Sequence, residues 1–238
     1  MDRLYQKNEL IFSIIWIVIY VIALSAGDTL SAGIGVEKSV TAAVGGVLTA
    51  LLVFWLYRSG RSADYGLCRS KVPAGRLLWY LPLVLLASVN LWFGVTMKLT
   101  PLETGLYILS MFFVGFLEEM IFRGLLFKAM AKDNLKTAII VSSVTFGIGH
   151  LVNLINGSGA DLLSSGLQVV YAIAAGFLFT VIFYKTESLW ACILTHGCLN
   201  ALSAFADEAA QTPLMEVGSA AVLTVVAAGY AWYIWKNV

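Results

Sequence analysis

Long apolar runs alternate with short polar connections along the whole chain. They cover Leu10–Ala26, Val40–Tyr57, Leu77–Thr96, Thr104–Met130, Thr137–Ile155, Gly166–Tyr184, Leu189–Ala206 and Val217–Trp235. Each is near the ~20 residues a helix needs to cross a bilayer, and the fourth is long enough to tilt or project. The runs lack the two-residue alternation of barrel strands. A helix satisfies its own backbone polar groups in hydrocarbon, so the pattern predicts an all-α integral membrane protein. The expected architecture is a bundle of about eight transmembrane helices forming one polytopic domain over residues 1–238. The first run also passes as a signal peptide, with Ala23-Leu24-Ser25 as a cleavage site. Its length and its aromatic residues Trp16 and Tyr20 favour a retained span.

Composition reinforces this reading. The chain is 60% apolar and 12% charged, with a mean hydropathy of +0.86, outside the usual soluble range. A net charge of +1 gives no reason to expect a nucleic-acid partner. Cys68, Cys192 and Cys198 lack metal-site or disulfide spacing. Loop cations set the orientation. Arg3, Lys7, Arg58, Arg61, Arg69, Lys71, Arg76, Lys128, Lys132, Lys136, Lys185 and Lys236 fall on one side, twelve of the 15 Lys and Arg residues. Lys38 and Lys98 fall on the other. Both termini are therefore expected in the cytoplasm.

Polar residues within the runs gather on three of them. The fourth carries Glu118, Glu119 and Arg123, the fifth His150, and the seventh His196 and Asn200. Charges at mid-membrane cost about 2.5–3.5 kcal/mol each on insertion scales, so they are expected to face one another or a polar interior. Glu119 and Arg123 are four apart and can pair, as His196 and Asn200 can share a face. Glu118 is offset from Glu119 by about 100° and is free to point elsewhere. Counted from the nearest loop cation at about 1.5 Å per residue, Glu118 lies roughly 15 Å deep, His150 21 Å, His196 16 Å and Asn200 22 Å. All four converge near the middle of a core about 30 Å thick. A carboxylate there can act as general base for a water, one imidazole can hold that water, and a second imidazole and an amide can donate to an oxyanion. With a divalent metal such as zinc, Glu118, His150 and His196 are instead the candidate ligands.

The ordered motifs E-E-x-x-x-R, F-x-x-x-H and H-x-x-x-N, each on its own apolar run, resemble the CPBP family. These are the CAAX proteases and bacteriocin-processing proteins, which include the Ras-converting endoprotease. The resemblance covers residues 106–206. It implies an intramembrane endopeptidase acting on a peptide or membrane-protein substrate. It further implies Glu118 as base, His150 as its helper in activating water, His196 and Asn200 as oxyanion donors, and Glu119 and Arg123 in support. The short chain points to a bacterial cytoplasmic membrane.

Two other readings stand beside this one. A catalytically silent membrane module, serving bacteriocin immunity or regulation, needs the frame and not the intact site. A proton-coupled transporter would also place Glu and His in the membrane, but it calls for repeats and broken helix pairs that the sequence lacks. Glu119–Arg123 also reads as a self-neutralising structural pair, Asn200 as interhelical glue, and Gln168 as a helix-end group. Gly45-Gly46, Gly147 with Gly149, and Ala174-Ala175-Gly176 read as close-packing patches.

Overall fold

The computed structural model describes residues 1–154 and 161–238; the end of the fifth apolar run, at Ile155, lies outside them. Among the described residues the protein is helical and has no strands. A short α1 (Asp2–Lys7) precedes α2 (Glu9–Ile34) and α3 (Ser39–Arg58). Then come α4 (Leu81–Ala87), α5 (Pro101–Glu118), α6 (Lys128–Ala131), α7 (Leu135–Gly149), α8 (Leu162–Thr186), α9 (Trp190–Leu202) and α10 (Pro213–Asn237). Between α5 and α6 the helix continues without a break as a π-helix, Glu119–Phe127.

Local sequence explains the ends. Thr100 and Glu103 form a reciprocal capping box at α5, with Pro101 in its first turn. Asn134 caps α7 through the Thr137 N–H, and Thr212 caps α10 through Met215. Asp161 caps α8 by accepting from Ser164 and Leu163. Those bonds, the Ser164 N–H foremost, hold its carboxyl below the usual range.

Among the described residues, six helical spans are long and apolar enough to cross a membrane, and two shorter apolar helical stretches, Ala74–Ala87 and Trp190–Phe205, join them. Large apolar side chains such as Ile22, Phe54, Leu81 and Val225 cover the outside, each more than 60% exposed. That is the outer surface of an integral membrane protein.

The third and seventh runs are thus corrected from full-length helices. The third is a 3₁₀ turn with Leu78, Trp79 and Tyr80 in the left-handed region, then α4, then a second 3₁₀ turn at Val89–Leu91. The seventh ends α9 at Leu202 and finishes as the 3₁₀ turn Ser203–Phe205. These two segments run side by side and meet at both ends. Leu189 N–H donates to the Gly66 carbonyl at 2.9 Å, and Thr96 N–H to the Phe205 carbonyl at 2.9 Å. The irregular backbone is therefore paired within the protein, as a membrane interior requires.

Loops that the charge pattern assigns to one face do meet. Glu9 pairs with Lys132 at 2.6 Å and Glu187 with Lys71 at 2.7 Å on the basic face. On the opposite face Asp28 pairs with Lys38 at 2.8 Å and Glu208 with Lys98 at 2.7 Å.

Small residues set the helix approaches that matter most. A Cβ at Gly115 would lie 2.7 Å from the Gly197 backbone nitrogen, so α5 and α9 touch through their backbones. A Cβ at Gly176 would lie 3.0 Å from the Ser143 Cα, which brings α8 equally close to α7. Gly45 meets Phe113 and seats α3 on α5.

Candidate active site

The contact between Gly115 and Gly197 delivers His196 to the junction of α5 and its π-helical continuation. There the imidazole lies between two carboxylates. His196 Nδ1 is 2.9 Å from Glu119 Oε1, and His196 Nε2 is 3.3 Å from Glu118 Oε2. Glu119 Oε1 also accepts from Arg123 Nη1 at 3.0 Å, with both side chains fully buried. The i,i+4 pairing read from the sequence is present. What spacing on one helix does not give is the second partner: Glu119 orients His196 as well.

The Phe of F-x-x-x-H ties the three motifs together. The Arg123 guanidinium sits 4.0 Å from the centroid of the Phe146 ring, and the Phe146 edge or face meets His150 at 5.0 Å and His196 at 5.6 Å. Arg123 Nε and Nη2 have no hydrogen-bond partner. The π faces of Phe146 and, at 5.6 Å, Phe179 compensate that charge.

His150 begins the turn after α7, and its Nδ1 is 3.1 Å from the Phe146 carbonyl oxygen. A carbonyl only accepts, so Nδ1 carries the hydrogen and Nε2 keeps its lone pair. Glu118 has a second partner that the sequence did not announce. Tyr20, in the first apolar run, donates its hydroxyl to Glu118 Oε1 at 2.5 Å. The helix α2 is thus built into the site.

Glu118, His150 and Asn200 share the wall of a cavity of about 380 Å³ with Tyr20 and Phe146. His196 lines a smaller adjoining cavity of about 50 Å³, together with His150 and Asn200. Gln168 is in the wall of both, which corrects its reading as a helix-end group. The four candidate catalytic residues, from three separate helical segments, therefore border two cavities that share Phe146, His150 and Asn200 in their walls. Among the described residues, no three His, Cys, Asp or Glu side chains form a group that could hold a metal ion. His196 Nδ1 faces Glu119 and His150 Nδ1 faces a carbonyl, which leaves Nε2 of each ring as the atom open to a water or a metal ion.

Residues 100–202 match the family model described as type II CAAX prenyl endopeptidase Rce1-like. No curated protein and no solved structure matches the chain.

Proposed function

We propose, from the match of residues 100–202 to the type II CAAX prenyl endopeptidase Rce1-like family model, that this protein is an intramembrane endopeptidase whose Glu118 activates water. The observation that carries the reading is the setting of that carboxylate. One oxygen is fixed by Tyr20, the other faces His196, and the side chain borders a cavity shared with His150 and Asn200.

The chemistry follows from the geometry. A water in the cavity hydrogen-bonds to the free Nε2 of His150 and gives its proton to Glu118 as it attacks the peptide carbonyl. The carbonyl oxygen becomes an oxyanion, for which the Asn200 amide and His196 Nε2 are the donors. The His196 ring is held between the two acids, with Nδ1 bonded to Glu119 and Nε2 turned toward Glu118 and the smaller cavity. Glu118 returns the proton to the leaving amine. The basic loops and both termini are cytoplasmic in this reading, in a bacterial cytoplasmic membrane.

The test is cleavage in liposomes. Purified protein and a mixture of hydrophobic peptides are co-reconstituted, and new peptide termini are read by mass spectrometry. Wild type should generate them with or without EDTA, and Glu118→Gln should not. Cleavage that EDTA stops and zinc restores would replace the Glu118-and-water reading with a metal-dependent one.

A further inference from the structure

The cavity is one-sided. From Glu118 it follows α5 back to Tyr107, eleven residues or about 16 Å, and follows α2 from Tyr20 to Asp28, about 12 Å. Every other lining residue lies at the level of Glu118 or toward the face opposite the basic loops, apart from Phe122 one turn below. At the far end the Asp28–Lys38 pair borders the cavity, with side chains 29% and 16% exposed. Toward the basic face the protein is solid instead. Each residue from Glu119 to Phe127 is buried, and this plug packs on Phe12, Trp16, Trp55, Tyr65 and Leu189.

The walls suit an unwound peptide. Ser25, Thr41, Asn90, Tyr107 and Ser203 line it with hydroxyls and an amide; Thr41 donates to Asp28, Asn90 to the Leu199 carbonyl and Ser203 to the Asn200 carbonyl, so acceptor oxygens are what the wall chiefly offers. Backbone groups released when a substrate leaves its helix need such partners inside a membrane. The volume of about 380 Å³ is far above the roughly 10–15 Å³ that one water requires.

Resting on the endopeptidase reading of Glu118 and the cytoplasmic placement of the basic loops, we propose that this site is loaded from the non-cytoplasmic face. Its substrates are peptide segments exposed on that face, and its water enters by the same route. Loading from the cytoplasm would have to displace the buried π-helical plug.

Sided thiol labelling tests this without turnover, so it fails or succeeds separately from the peptidase assay. Ser25→Cys and Met111→Cys place thiols in the cavity wall, and Ala63→Cys places one in the basic loop. The native cysteines are kept, and labelled positions are resolved by peptide mass spectrometry. A small membrane-impermeant methanethiosulfonate reagent is applied to right-side-out and to inverted vesicles. Both cavity thiols should react only in right-side-out vesicles, and Ala63→Cys only in inverted ones. Labelling of the cavity thiols in inverted vesicles, or from the same face as Ala63→Cys, overturns the proposal. So does an absence of reaction at both cavity positions. Two cavity positions are used so that one misfolded variant does not decide the result.

Discussion

Two halves of this bundle meet at Glu118 and are built on opposite principles. On the basic side the π-helical segment is buried on every face, and its only charges, Glu119 and Arg123, neutralise each other. On the other side the helices enclose a polar hollow. The border passes between two adjacent residues. Glu119 is 0% exposed and belongs to the solid half, whereas the Glu118 side chain is 13% exposed and belongs to the hollow. Chemically identical side chains are thus given different work by one step along a helix. One carboxylate is spent on neighbours, and the other is kept accessible. π-helical turns concentrate at functional sites, and here the change from α to π geometry falls between the two acids.

The largest effect should come from opening the solid half. Arg123→Ala leaves Glu119 charged and buried with only His196 to pair, and breaking such a pair costs about 3–5 kcal/mol. Low yield and a lowered melting temperature in detergent are expected; unchanged stability would mean that the plug does not depend on the pair. Next comes the hollow. In the proposed mechanism the Asn200 amide acts on the oxyanion and not on the bound substrate, so Asn200→Ala should lower kcat about 10²–10³-fold with little change in KM. A rise in KM at constant kcat would make it a substrate-binding residue.

Tyr20→Phe is the subtlest. It keeps the ring and removes a hydrogen bond to a charged group worth about 1.5–3 kcal/mol. Melting temperature should fall modestly with the loss of that bond, KM should hold, and kcat should fall about tenfold or more. A variant with full kcat would make the contact with Glu118 incidental.

The apolar runs and the three motifs made legible in the sequence the helical membrane architecture and the polar residues that lie together inside it. They did so because hydropathy, charge placement and i,i+4 spacing act locally. Tyr20 was hidden because an aromatic residue in an apolar run reads as lipid-facing or interfacial. Only a contact across 98 residues reveals its role. The second duty of Glu119 was hidden in the same way, because His196 arrives from another helix through the approach of Gly115 to Gly197. The break in the third run was masked by its unbroken hydrophobicity, although Pro82 marks the start of α4 and Gly94, with positive φ, follows the second 3₁₀ turn. The π-helix has no residue signature of its own.

The central claim is that adjacent acids divide structure from catalysis, and paired substitution measures it directly. Activity in liposomes and melting temperature in detergent are determined for Glu118→Gln and Glu119→Gln. Glu118→Gln retains an acceptor for Tyr20 but cannot take a proton from water, so it should keep its melting temperature and lose cleavage. Glu119→Gln keeps an acceptor for Arg123 and His196 but leaves the buried guanidinium without its counter-charge, so its melting temperature should fall together with whatever activity is lost. Equal losses of activity with both proteins as stable as wild type would contradict the division.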